Sequence, residues 1–196
     1  IGVLGIVGAR HKPNLRETVT LVTATCLFIL VASLLTPVLS GARPSITLLE
    51  VLPGLSIAFE VEPLGLIFAL IASSLWIVTS VYAIGYMRGH HEKNQTRFYA
   101  YFAVALSSTM GIAFAGNMFT LFIFYELLTL STYPLVTHSG TAEAKKGGRT
   151  YFGILIGTSI AFQLLAVIIT YVTVGTLDFT QGGILAGKAS DAIIGL

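Results

Sequence analysis

Asn117-Met-Phe-Thr-Leu-Phe-Ile-Phe-Tyr-Glu126-Leu-Leu-Thr-Leu-Ser-Thr-Tyr133-Pro-Leu-Val-Thr-His138 decides how this chain is read. At about 1.5 Å per helical residue, the stretch is long enough to cross a hydrocarbon core about 30 Å thick. Near its middle stands one carboxylate, Glu126. Holding an acidic side chain at that depth costs about 2.5–3.5 kcal/mol on insertion scales. A chain that keeps such a group generally uses it.

Composition supports the reading outward from this stretch. Of 196 residues, 55% are hydrophobic and only 10% are charged, and the mean hydropathy is +0.86. A soluble domain carries about 25% charged residues. The expected fold class is therefore all-α: a polytopic membrane helix bundle of five full crossings plus the end of a first helix. The expected helices are 1–9, 18–39, 63–87, 98–115, 118–138 and 149–174. They are read as a single transmembrane domain, a fragment of a larger subunit. Between the second and third segments, residues 45–62 break the pattern. Pro53-Gly54 is a turn signal, and Leu55–Glu62 partly alternates, which predicts a short extramembrane hairpin with solvated glutamates.

Charge placement tests this segmentation. The first, third and fifth connectors hold Arg10, Lys12, Arg16, Arg88, Lys93, Arg97, Lys145, Lys146 and Arg149; the others hold only Arg43 and Lys188. This alternation is what positive-inside topology requires. It assigns connectors 10–17, 88–97 and 139–148 to the cytoplasm; the expected location is the cell inner (plasma) membrane, with the lipid bilayer as the first partner. Basic residues confined to loops speak against nucleic acid.

Of the nine acidic residues, eight lie in connectors or at segment ends: Glu17, Glu50, Glu60, Glu62, Glu92, Glu143, Asp178 and Asp191. Only Glu126 is deep. Desolvation favours the neutral acid and a nearby cation favours the carboxylate, so a carboxyl group placed between the two can act as a proton relay. The bland alternative is a buried, hydrogen-bonded acid that fixes helix packing. Helical spacing puts Thr129 and Tyr133 on the face of Glu126, where they could hydrogen-bond it or hold water. Pro134 is a candidate kink. Gln163 reads as an interhelical hydrogen bond and Cys26 as a small buried residue. His90 and His91 lack a third ligand nearby. No spacing suggests zinc, haem or an iron–sulfur cluster, and no nucleotide loop or nucleophile elbow is present. Neither metal nor cofactor is expected.

The stretches Ile84-Gly85-Tyr86-Met87-Arg88, Gln95-Thr96-Arg97-Phe98-Tyr99, Phe124-Tyr125-Glu126-Leu127-Leu128-Thr129, Tyr133-Pro134-Leu135-Val136 and Gly175-Thr176-Leu177-Asp178-Phe179 resemble the antiporter-like membrane subunits of NADH:quinone oxidoreductase. They are closer still to the large subunits of multisubunit Na+/H+ antiporters, above all the one lettered D. The resemblance implies a core of about fourteen helices, with the glutamate of the fifth paired to a lysine of the seventh. Glu126 falls at that glutamate's position, and the lysine has no counterpart here. It also implies a proton-translocating or cation/proton antiporter subunit that works with other membrane subunits and moves protons, with Na+ as a further ion. By itself it would not be an enzyme, though it would serve an NADH:quinone oxidoreductase-type complex. The alternative reading is a non-conducting structural or assembly subunit.

Overall fold

The computed structural model describes residues 1–190; Asp191, read in the glycine-rich tail, lies outside the described residues. Eight α-helices, a π-helical turn and one two-stranded sheet make up the described chain. The short helix α1 (Gly2–Gly8) packs on α2 (Pro13–Ser33) and on α5 (Gln95–Ala113). A brief α3 (Leu35–Leu39) extends α2. The hairpin β1 (Ser45–Leu52) and β2 (Leu55–Glu60) follows, then α4 (Pro63–Gly89), α5 and α6 (Met118–Val136). The last long element is compound: α7 (Ala142–Thr158), a π-turn at Ser159–Leu164 and α8 (Leu165–Val174).

Among the described residues, four helical runs are long and apolar enough to cross a membrane: Pro13–Leu39, Pro63–Gly89, Met118–Val136 and Ala142–Val174. The expected count of five full crossings is not confirmed, because α5 is not among them. Its sequence explains the difference. It opens Gln95-Thr96-Arg97 and continues in Ala, Ser and Gly, and it packs on α1, α2, α4 and α6. A helix facing protein on several sides needs little lipid-compatible surface, and small residues let its neighbours approach. Gly111 shows this at one point, since a methyl group there would overlap the Phe124 ring of α6.

Helix ends also move. The helix expected from Thr18 begins at Pro13, where proline suits the first helical position. The helix expected from Arg149 begins after Thr141, whose hydroxyl caps it by accepting from the Ala144 N–H at 3.1 Å. Lys145, Lys146 and Arg149 therefore sit on a helix and not in a connector. Cys26, expected to be buried, is exposed.

The hairpin is antiparallel, pairing Ser45 with Glu60 and Leu52 with Leu55, with irregularities after Thr47 and Glu50. Pro53-Gly54 forms the turn, with Gly54 at φ +77° against the Gly175 carbonyl, where any Cβ would clash. The sheet is tied to the adjacent helix ends: Glu60 N–H donates to Phe114 O at 2.8 Å, Gly116 N–H to Ala58 O at 2.9 Å, and the Tyr171 hydroxyl to Pro53 O at 2.9 Å.

Asn117 joins the hairpin to α6. Its Oδ1 caps the helix by accepting from the Thr120 N–H at 2.8 Å, and its Nδ2 donates to Ser56 O at 2.9 Å. Replacing it with Ala removes the cap, at a cost of about 1–2 kcal/mol, and leaves the Ser56 carbonyl without this donor. Asn117→Ala is therefore expected to lower the melting temperature in detergent, with Asn117→Asp, which keeps the cap acceptor, falling between it and the wild type.

Small polar residues share the interior with apolar ones such as Ile6, Leu66 and Trp76. Fully buried side chains include Thr20, Ser73, Ser80 and Ser108, while Leu30, Val78, Val81 and Ile154 are each at least 58% exposed. The buried Thr20, Ser73 and Ser108 hydroxyls donate to backbone carbonyls of the preceding turn, as Ser73 does to Ala69 O at 2.7 Å. Small polar residues inside, three of these four bonded to their own helix, and branched apolar residues outside suit a bundle solvated by lipid.

Candidate functional site

Glu126 lies midway along α6, whose helix runs unbroken two residues past Pro134. The side chain is half-buried, and its Oε1 is fully buried with no hydrogen-bond partner among the described residues. No Lys or Arg nitrogen lies within 4.0 Å of it among those residues. Thr129, one turn on, is buried. Tyr133, two turns on, packs its ring against Phe152 of α7 with centroids 5.2 Å apart. Helical position aligns the three residues, but no hydrogen bond joins Glu126 to Thr129 or Tyr133 among the described residues. Gln163 falls inside the π-turn, and its side chain makes no hydrogen bond among those residues, so the expected interhelical bond is absent there. π-Turns are frequent at functional positions in helices.

A polar layer closes one end of the bundle. Glu17, read from sequence as a connector residue, is 5% exposed near the start of α2. The Arg88 guanidinium of α4 grips it bidentately, with Nε to Oε1 at 3.0 Å and a shorter contact to Oε2. Its neighbour Arg16 is equally buried, lies 3.4 Å from Glu17 Oε1, donates to Gln95 Oε1 at 2.7 Å and stacks over the Tyr99 ring. Gln95 in turn donates to the carbonyls of Met87 and Glu92, each at 3.1 Å. This cluster links α2, α4 and α5. Sequence reading missed it because Arg16, Glu17 and Arg88 are far apart in the chain or flanked by loop residues. The available signal was Pro13, which marks a helix start that puts Arg16 and Glu17 inside α2.

Connectors 10–17, 88–97 and 139–148 meet at this end, and the hairpin with Gly175–Phe179 lies at the other, where Met118 N–H bonds Leu177 O at 3.0 Å. At the connector end His138 follows α6, with its side chain 12% exposed. Both ring nitrogens are buried without hydrogen-bond partners, and Nε2 is 4.0 Å from Glu92 Oε2. The ring meets Phe98 edge-on at 5.5 Å. Burial holds the imidazole below its ordinary value of 6.5; Arg97 pushes the same way, and Glu92 opposes. The unfolded chain therefore takes up a proton as pH falls through 6.5 that the folded chain refuses, so stability drops on acidification below that point. Melting at pH 5.5 and pH 7.5 should show the drop, and His138→Phe should reduce it.

His138 is one wall of a cavity of about 610 Å³ at the same end, also lined by Tyr133, Arg97 and Arg149. At about 1.5 Å per residue, Tyr133 stands about 10 Å along the helix from Glu126. The aligned face of α6 thus runs from a basic cavity to a buried carboxyl oxygen without a partner among the described residues.

Residues 53–99 match the family described as the N-terminus of chain 5 of NADH-ubiquinone oxidoreductase (complex I). That match covers β2, α4 and the start of α5, and it leaves Glu126 outside. NADH-quinone oxidoreductase subunit N of Desulforudis audaxviator is 28% identical over 141 residues, covering 71% of this chain and 28% of that protein. A Staphylococcus saprophyticus protein named "Putative antiporter subunit mnhA2" is 29% identical over 139 residues, covering 70% of this chain and 17% of that protein. The chain thus spans less than a third of the length of these relatives. Among solved structures, a chain of the membrane-bound sulfane sulfur reductase, an archaeal respiratory membrane complex, superposes with a TM-score of 0.77 at 20% identity, over 90% of this chain and 36% of that one. A chain of the Mrp complex from Dietzia sp. DQ12-45-1b does so with a TM-score of 0.70 at 17% identity, over 90% and 34%. With the apolar helices and the hairpin arranged as described, the chain is similar in sequence to antiporter-like membrane subunits, those named NADH-quinone oxidoreductase subunit N and putative antiporter subunit mnhA2, and shares its fold with chains of the two solved membrane complexes.

Proposed function

We propose that this chain is part of a proton-translocating or cation/proton antiporter membrane subunit, with Glu126 as the mid-membrane group that accepts and releases the proton. The observation that carries the reading is the Glu126 Oε1, buried in an apolar helix with no partner among the described residues. A carboxylate in such a place is costly when charged, so it is held neutral by a proton or ionised beside a cation. Switching between those two states is a transport step. A cation on a neighbouring helix would complete such a pair; Lys145 and Arg149 are not that cation, because they line the cavity at the end of the bundle and Glu126 does not. Thr129 and Tyr133 position water or the proton between Glu126 and that cavity.

In this reading residues 1–196 are one transmembrane domain of a longer subunit, and α5 is a fifth crossing surrounded by protein. The subunit works in the plasma membrane inside a multisubunit complex, carrying protons and, in an antiporter setting, Na+. The basic connectors face the cytoplasm. The deciding experiment is ion transport by proteoliposomes bearing the whole complex with Glu126→Gln, with assembly followed in parallel. Lost transport in an assembled complex supports the relay. Intact transport, or a complex that fails to assemble, returns Glu126 to a packing role.

A further inference from the structure

The cavity between the α4–α5 connector, the end of α6 and the start of α7 has a charge balance that transport does not explain. Lys93, Arg97, Lys145 and Arg149 line it, against the single carboxylate of Glu92. None of these four cations has a carboxylate within 4.0 Å among the described residues; Glu92 faces His138 instead, at 4.0 Å. All four side chains are exposed to solvent, so their charges are free to meet a ligand, and a bound anion would relieve what repulsion solvent leaves between them. His138 supplies a second, independent sign, with two buried ring nitrogens that no described residue satisfies. Buried polar atoms without partners point to a missing one. The connector is also held in a backbone form that side chains disfavour, with His91 at φ 51° and Asn94 at φ 57° on the cavity wall. Such conformations recur at ligand clamps.

We propose that this cavity seats a phosphate-bearing anion, met in a membrane as the headgroup of an acidic phospholipid. The cations supply the charge, Arg97 and Arg149 offer planar donor pairs suited to phosphate oxygens, and the His138 ring donates from the floor. The site lies at the end of two crossings, at headgroup level. Val136, at the end of α6 two residues before His138, and Ile154, five residues past Arg149 on α7, are exposed and apolar, so acyl chains have a surface to follow. Basic pockets between transmembrane helices recognise lipid headgroups by this chemistry. The seat does not depend on Glu126 carrying a proton.

The test compares the intact protein with a Lys145→Gln, Arg149→Gln double variant. Each is extracted from mixed phosphatidylcholine and phosphatidylglycerol nanodiscs, and the retained lipid is measured by native mass spectrometry. Inorganic phosphate is titrated separately in detergent, with melting temperature as the readout. The wild type should retain phosphatidylglycerol over phosphatidylcholine. Removing two cations should weaken retention about thirtyfold, whereas Lys12→Gln, outside the cavity, should leave it unchanged. A phosphate-induced rise in melting temperature without lipid retention would identify the anion as free phosphate and keep the seat. Equal retention in wild type and variant, with no effect of phosphate, overturns the proposal, as would occur if an acidic protein segment filled the cavity. Lys93→Gln repeats the comparison if the double variant does not fold.

Discussion

Glu126→Gln is expected to abolish transport, by about a hundredfold or more, in a complex that still assembles. The size follows from the role. A residue that gives and takes the transported proton supplies a path that amide nitrogen and oxygen cannot, and losing a positioned proton-transfer group costs about 10²–10⁴-fold. The direction on stability is opposite. Gln fills nearly the same volume, keeps hydrogen-bonding capacity and carries no charge, so the insertion cost of about 2.5–3.5 kcal/mol for an ionised group falls away. Detergent melting should be unchanged or slightly higher. Glu126→Asp keeps the acid but withdraws it by one methylene, and partial transport is expected. Tyr133→Phe preserves the ring packed 5.2 Å from Phe152 and removes only a hydroxyl, so its effect should be several-fold at most. A mutant complex that transports like wild type would remove the relay.

The apolar spans were legible because a lipid-facing helix must be apolar over a length set by the bilayer, and that is a local property of sequence. The hairpin was legible for a similar reason, since Pro53-Gly54 between two partly alternating runs is a local turn signal. Its two register irregularities, after Thr47 and Glu50, were not, because no local residue signal marks either position. The start of α2 was misplaced by five residues. Arg16 and Glu17 look like loop residues until Arg88 and Gln95, more than seventy positions away, are seen to satisfy them. α5 is less apolar than the long spans because it opens Gln95-Thr96-Arg97 and continues in small residues, which its packing on four other helices tolerates. The π-turn at Ser159–Leu164 has no sequence mark beyond Gln163. For the candidate site, sequence located Glu126 and aligned Thr129 and Tyr133 with it. The bare Oε1 and the basic cavity two turns away came only from packing.

Glu17→Ala is expected to be the most destabilising single change, by about 3–5 kcal/mol, the range for removing one member of a buried ion pair. The cost is largely that of what stays behind. Arg16 is as buried as Glu17, with side chains 5% and 6% exposed. Without the carboxylate, its guanidinium remains a buried charge held only by Gln95, Thr96 and the Tyr99 ring. Arg88 loses both of its bonds to α2's carboxylate and keeps Asn14, so α4 is released from α2 at that end. Thermal melting in detergent should fall steeply, and protease should cut faster in the 90–94 connector. The exposed Arg43–Glu62 pair beside the hairpin, with side chains 43% and 56% exposed, is the control. Arg43→Ala should change stability by no more than about 1 kcal/mol, because solvent screens such a pair. Replacing Arg16 and Glu17 together by Met should recover most of the loss, since an apolar pair of similar volume leaves no buried charge. If Glu17→Ala melted like wild type, the cluster would be a solvated surface feature and the tie between α2, α4 and α5 would rest on apolar packing alone. If the Met pair restored stability but not transport, the cluster would have a second role in holding the cavity end of α5 in register with α6.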